Sequence, residues 1–461
     1  MIDPKDATYA LECLAHRQKA FAIYNNYYKG DQPLYFSTDA FRSAFGDLFK
    51  RLSYNRCRAV VDAYATRLQV TGWESPSTKD KQTEEDALGK AAMEIWDRNH
   101  FAKRQGELFR EAMRAGDAYV IVWPGEDSLA RLDINRGHLI HPVYDDEYPE
   151  RLSYAVKCWQ PHHGDYAGRW RVNVYDAEVI TRWISSSKSD EQPKDFKAFV
   201  PFEDDMPAEI PNPYEQVPVF HYGNSADTGA CGTSELVDVI PLQDGLNKSI
   251  ADMLIAGEYV AFPQRWVTGV APTVDPFTNQ EVEQFKAAMD RVWGVMEPDA
   301  RFGQFDPADM KQYTESQDAW DLKISRVSQV PVHWLSMSGD FPSGESLKTA
   351  EGPFVGKGEG KQASFGGDLA ATLAFALKVE GTADAMVTPI WKPFESRSDL
   401  EALQQAAMKK SLGVPEEQIW AELGYSQEEI AEFTAAAEKK RKEQMDQFAT
   451  AFDRGTVPIG G

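Results

Sequence analysis

Apolar positions along this chain fall into two helical stripes at its start, a series of short alternating segments, and then two long helical seams separated by an inserted unit. The longest seam follows Asp306, placed to cap a helix, and Pro307, placed at its first turn; Met310, Tyr313, Trp320, Ile324 and Val327 recur at three- to four-residue or doubled spacing. Pro331 ends it. A loop must follow, because Ser336, Met337, Ser338, Gly339, Asp340, Phe341, Pro342, Ser343 and Gly344 place two glycines and a proline within nine residues. Beyond the loop a helical run restarts, with Lys348, Glu351, Lys357, Glu359 and Lys361 as its polar face. The partner seam follows Gly232, Thr233, Ser234 and Glu235 and carries Leu236, Val239, Ile240, Leu246, Ile250, Met253 and Leu254 along one side, with Pro241 restarting or kinking it. From 242 to 259 it would be about 27 Å long at 1.5 Å per residue. The unit between the seams, 262–305, holds a strand candidate at 264–268 and a helix candidate at 280–292.

The first half reads as an antiparallel α+β body. A helix opening at Asp3 and Pro4 carries Ala7, Leu11, Leu14, Phe21, Tyr24 and Tyr28 and ends at Gly30; a second over 53–70 carries Cys57, Val60, Val61, Tyr64 and Leu68 before Gly72 and Trp73. Two more helices fit 83–115. Short β-branched and aromatic strands follow at 118–123, 131–134, 138–144, 152–159, 170–175, 179–184 and 217–222. Residues 185–213, rich in serine, acid and proline, read as loops and as the expected insertion or mobile segment, with a weak edge strand at 196–202. Near the end, 369–378 is apolar, 387–391 fits a strand, and Ser398 with Glu401 and Ser426 with Glu429 form capping boxes around a helix whose first residue would be Pro415. The run 431–452, with its Lys439 to Lys442 cluster, reads as a surface helix.

Composition narrows the classes. In 461 residues, 42 % hydrophobic and 12 % aromatic content are those of a folded chain with a large core. No run of about 18 apolar residues is present and the start lacks a basic and an apolar region, so a soluble, unexported protein is expected. Cys13, Cys57, Cys158 and Cys231 are far apart and fit a reducing compartment, without disulfides or zinc. A formal charge of −23 argues against holding nucleic acid by phosphate neutralisation.

Catalytic, cofactor and metal signals are weak. Gly356 to Lys361 invites a phosphate-loop reading, but Gln362 stands where Ser or Thr is required and no strand precedes, so a closely packed small-residue helix is favoured. His138 and His141, three apart on an expected strand, would face opposite ways, and His162 and His163 lie in a turn. Asp145 with Asp146 and Asp204 with Asp205 also stand in turns. No catalytic residue, cofactor or metal is therefore assigned.

Val330 to Leu335 before the loop, Ser343 to Lys348 after it, Tyr27, Tyr28 and Gly30 at the first helix exit, Asn55 to Arg58 opening the second helix, and Phe262 to Trp266 together resemble portal proteins of tailed bacteriophages, of the siphophage and actinobacterial-phage type. The resemblance covers about residues 5–395 and is weakest after 398. It implies a portal fold: an α/β wing over 1–232, a first stem helix over 233–261, a small α/β clip over 262–305 with Gln264, Arg265 and Trp266 at its entry, and a second stem helix over 306–335. The tunnel loop would be 336–343, a wing helix and strand 344–397, and a helical crown 398–461. Leu246, Ile250, Met253, Tyr313, Trp320 and Ile324 would pack the stem. The implied role is a ring of typically twelve subunits at one capsid vertex, assembled in the host cytoplasm and carried in the virion. Double-stranded DNA would pass through without sequence-specific binding, and terminase, a head-completion adaptor, major capsid and scaffolding proteins would be partners, with no membrane. Repulsive walls suit such a conduit, although acidity also serves plain solubility. The alternatives are another acidic phage head or adaptor protein without a channel, for which paired long helices have no evident use, and an acidic hydrolase, for which no catalytic cluster is found.

Overall fold

The computed structural model describes residues 4–32, 54–75, 86–261, 265–269, 277, 298–304, 309–336, 344–395, 399–423, 425, 429–430, 432–437 and 439. In chain order these form α1 Pro4–Lys29, α2 Arg56–Ala65, β1 Val70–Glu74, α3 Ala87–Arg98, α4 Phe101–Ala115, β2 Asp117–Pro124, β3 Ala130–Arg136, β4 Ile140–Tyr144, β5 Leu152–Trp159, β6 Arg171–Asp176 and β7 Val179–Ser185. There follow β8 Phe199–Pro201, β9 Glu209–Pro211, β10 Val219–Gly223, α5 Ile240–Ala261, β11 Arg265–Thr268, β12 Arg301–Gln304, α6 Lys311–Ser328, α7 Val332–Leu335, α8 Gly344–Val379, β13 Thr388–Trp391, α9 Asp399–Ser411 and α10 Glu416–Glu422. The class is α+β.

The chain divides into two compact units, one of Met1–Lys29, Arg58–Val237 and Pro342–Gly461, the other of Gly30–Cys57 and Asp238–Phe341. The first unit centres on an antiparallel sheet in the order β4-β5-β6-β7-β8, with β9 also on β7. Side-chain alternation sorts its two faces. Val156 and Cys158 of β5 and Val172 and Val174 of β6 pack under Ala7, Leu11 and Leu14 of α1, with Phe196 and Phe199 closing the layer. On the opposite face Ala155, Tyr175 and Ile180 meet Tyr119, Ile121 and Val219 from a smaller sheet, β10-β2-β3. Helix α8 lies against β2, β10 and β13. Its Phe365 reaches Phe109 of α4, with ring centroids 5.5 Å apart, and its Phe375 reaches Phe220 of β10 at the same distance.

Several boundaries depart from the sequence expectation. Residues 185–213 are not all loop: β8 falls within the expected edge strand 196–202 and stands at the edge of the sheet, β9 is a further strand, both pair with β7, and Phe196, Phe199 and Phe202 are buried. The expected strand 138–144 starts late: Gly137–Leu139 is a 3-10 turn, so His138 is not on the strand with His141. Helix α2 stops at Ala65 rather than 70, since Val70 already belongs to β1, paired antiparallel with β13. The seam from Gly232 winds through turns until Ile240, where Pro241 sits in the first helical turn and gives up an amide that has no intrahelical partner. The cap at Asp306 and Pro307, the helix candidate 280–292 and Ser398 lie outside the described residues.

Candidate functional site

The second unit is built around α5 and α6, which pack along their length. Leu246 and Ile324 are fully buried in this pair, while Ile250, Met253, Tyr313 and Trp320 are half-buried. Close approach depends on Gly245: a Cβ placed there would meet the Trp320 ring at 2.7 Å. Lys323 lays its ammonium 4.0 Å from the centroid of that ring. Farther along, the Ser249 and Ser316 hydroxyls are 3.2 Å apart and Gln317 Nε2 donates to Met253 Sδ at 3.2 Å. The α6 stripe closes on Ser328, not on Val327, which is exposed. Adjacent helical positions differ by about 100°, and the buried side runs through Asp321, Ile324 and Ser328, whose hydroxyl donates to Ile324 O.

A polar knot lies within this unit. Arg56 donates from Nε and Nη2 to Asp321 Oδ1 and Oδ2 at 2.8 and 2.7 Å, a two-pronged pair with both side chains nearly buried. Gln243 is fully buried; its Oε1 accepts from Arg56 N at 2.8 Å, and its Nε2 donates to Tyr54 O at 2.8 Å and Asn247 Oδ1 at 2.9 Å. Periodicity passes over these residues because polar letters read as exposed. The available signal was their spacing, with Gln243 three before Leu246 and Asp321 three before Ile324.

Between α5 and α6 in sequence, β11 and β12 pair antiparallel, with Arg265 opposite Gln304 and Trp266 opposite Gly303. Trp266 and Phe302 are exposed, and the Trp266 indole lies across the Gly303 backbone. Gln264 lies outside the described residues. Of the expected tunnel loop, Ser336 is described and donates from Oγ to Asp318 Oδ1 at 2.9 Å, while Met337, Ser338, Gly339, Asp340, Phe341, Pro342 and Ser343 lie outside.

The first unit buries two ionic clusters that sequence reading missed. Asp117 is fully enclosed, paired with Arg17 and accepting from Gly232 N at 2.6 Å, with His221 Nε2 also 2.6 Å away. Tyr144 Oη stands 2.5 Å from Nδ1 of the same imidazole. Burial alone would raise the Asp117 carboxyl, but His221, Arg17 and the Gly232 amide hold it below the usual range. The cluster ties the start of β2 to β10 and the Gly232 turn. In the second cluster Lys361 and Lys357 both hold Glu235 at 2.6 Å, and Lys361 also donates to Asn224. Burial opposes Glu235 ionisation, yet the two lysines bring its pKa to about 2. The Gly356–Lys361 stretch is helical, and Gly358 is required there because a Cβ would meet the Phe394 ring at 2.1 Å. Among the described residues no His, Cys, Asp and Glu group is arranged to hold a metal ion, and no helix is long and apolar enough to cross a membrane.

A family model described as phage portal protein, SPP1 Gp6-like, matches residues 13–446. The portal protein of Mycobacterium phage D29 is 26 % identical over 243 residues, covering 49 % of each chain. That of Mycobacterium phage L5 is 24 % identical over 243 residues with the same coverage, so the chain spans about half the length of the curated relatives it matches. A chain from the neck of a native gene transfer agent particle, computed with C12 symmetry, is 14 % identical and covers 81 % of this chain and 88 % of its own, with a TM-score of 0.39. A chain from the neck of an empty particle, computed with C6 symmetry, is 14 % identical and covers 83 % and 91 %, with a TM-score of 0.42. Because the family model takes in everything but the two ends of the sequence, this chain belongs to the phage portal protein family, SPP1 Gp6-like.

Proposed function

We propose that this chain is the subunit of an oligomeric ring, of about twelve copies as is typical of portals, at one vertex of a phage head, through which DNA passes during packaging and ejection. The observation that carries this reading is the α5–α6 pair: two packed helices, with the paired strands β11 and β12 between them in sequence, that keep Ile250, Met253, Tyr313 and Trp320 only half-covered in the protomer. Half-covered apolar side chains on a rigid pair are suited to neighbouring copies of the same pair. On this reading α5 and α6 are the stem, 262–305 the clip that meets the terminase and then a head-completion adaptor, and 336–343 the tunnel loop. The α+β body and α8 form the wing facing capsid and scaffolding proteins, and 398–461 the crown. Assembly takes place in the host cytoplasm, and the ring remains in the virion.

The chain supplies no energy for DNA movement in this proposal; a separate motor does. Lys361, the one lysine a phosphate loop would use, is committed to Glu235 and Asn224 in the interior. Negative-stain microscopy of the purified full chain tests the ring reading: rings with a central hole support it, and a compact monomer at micromolar concentration contradicts it.

A further inference from the structure

Folding brings two of the four cysteines to one place in the first unit. On α1, Tyr9, Cys13 and Arg17 stand four residues apart, so they form one row along the helix. Arg17 reaches the turn that carries Cys231: its Nη1 donates to Cys231 Sγ at 2.9 Å, and its Nη2 pairs with Asp117, which also accepts from Gly232 N at 2.6 Å. The row therefore faces residues 231 and 232, and Cys13 stands one helical turn from the arginine that touches Cys231. Both thiols act on the same surroundings. Tyr9 is raised by the Cys13 thiol first and by Cys231 as well, while Cys231 is pushed up to about 11 by burial and Asp117, with Cys13 adding to the rise and Arg17 opposing it.

All four cysteines are free thiols, but they differ in access. Cys57 and Cys158 are fully buried, whereas Cys13 and Cys231 are half-buried. The two that a small oxidant can reach are thus the two that share a site. Cys231 keeps its proton at neutral pH, which makes it a poor target for peroxide, an oxidant that reacts with thiolates. The same protonation favours a disulfide once it has formed, because no stabilised thiolate pulls the pair back to the reduced state.

We propose that Cys13 and Cys231 are a redox pair, held as thiols in a reducing compartment and closed into a disulfide within the protomer by a small-molecule disulfide such as oxidised glutathione outside it. The step is thiol–disulfide exchange. One protein thiolate attacks a sulfur of oxidised glutathione, giving a mixed disulfide and one glutathione thiolate; the second protein thiolate then attacks the protein sulfur of the mixed disulfide, forming the Cys13–Cys231 bond and releasing the second glutathione. The two cysteines lose two electrons and two protons, and the glutathione disulfide gains both. The bridge fastens α1 to the Gly232 turn and closes a long loop, which restricts the unfolded chain. This inference goes beyond ring formation and DNA passage and is tested apart from both. The purified full chain is incubated with oxidised glutathione at mildly alkaline pH, denatured, alkylated with N-ethylmaleimide, and its unreduced tryptic peptides are identified by mass spectrometry. The expected result is a linked pair of peptides carrying Cys13 and Cys231, with Cys57 and Cys158 alkylated, and a melting temperature raised by at least about 4 °C until dithiothreitol reverses it. Cys231→Ser should show neither the linked pair nor the rise. A disulfide closes only between Cα atoms within about 7 Å, so four alkylated cysteines in the wild type would place the thiols too far apart and overturn the proposal. Glutathione retained on either cysteine without the bridge, a bridge between protomers, or an equal rise in Cys231→Ser would overturn it as well. So would a bridge that fails to raise the melting temperature, since it would have formed by local unfolding.

Discussion

Asp368 on α8 should give the first unit a measurable pH dependence. Burial raises its carboxyl from 3.8 to about 7, with His221 pulling the other way. A carboxyl whose folded pKa exceeds its unfolded value contributes fully below the unfolded pKa, and that contribution is lost as pH climbs through the folded one. Between pH 4 and pH 7 the wild type should therefore lose stability relative to Asp368→Asn by up to about 1.4 kcal/mol per pH unit. Urea denaturation of both proteins at pH 5 and pH 7.5 checks this; an equal gap at both values would mean that the carboxyl is solvated and ionised throughout. A second single-residue test is Asp321→Ala, which strands the nearly buried Arg56 guanidinium and should cost about 3–5 kcal/mol, read as a shift of the urea midpoint. A loss below about 1 kcal/mol would place the pair among solvent-screened bridges. Residues of this kind were the least legible in the sequence. Gln243, Asp321, Asp117 and Glu235 are polar letters whose partners lie far along the chain, so no local pattern distinguishes them from surface residues.

Helices α5 and α6 were legible because their apolar stripes repeat with the helical period, and β2, β5, β6 and β7 because they alternate. What pattern could not supply was the neighbour. The glycines of 356–360 suggested a close approach, and Gly358 proves to be set by Phe394, a residue 36 positions later that no periodicity connects to it. Likewise residues 185–213 look like loops because β8 and β9 are three residues each, too short to alternate visibly, and are strands only by virtue of β7. At this scale the stem proposal predicts that Trp320→Ala and Ile250→Asp leave soluble, folded protomers but reduce the ring fraction at least about tenfold, equivalent to about 1.4 kcal/mol per contact. Size-exclusion chromatography with light scattering reads the ring fraction. Normal rings from both variants would remove these side chains from any subunit interface.

For the whole molecule, the net charge of −23 sets the expectation that a DNA path through the proposed ring repels rather than grips. Asp340 is the one charged residue among 336–343, the segment proposed as the tunnel loop. Asp340→Lys in every subunit should leave assembly intact, increase DNA retention at low salt and reduce packaging; unchanged retention and packaging would place the loop away from the channel wall. The most direct test of DNA conduction is photocrosslinking in heads stalled during packaging, with a photoreactive amino acid at Ser336, the residue that follows α7, or at exposed Tyr148 in the first unit. DNA crosslinks from position 336 and none from 148 are the predicted result, whereas equal yields from the two, or none from 336, would contradict a channel lined by this segment.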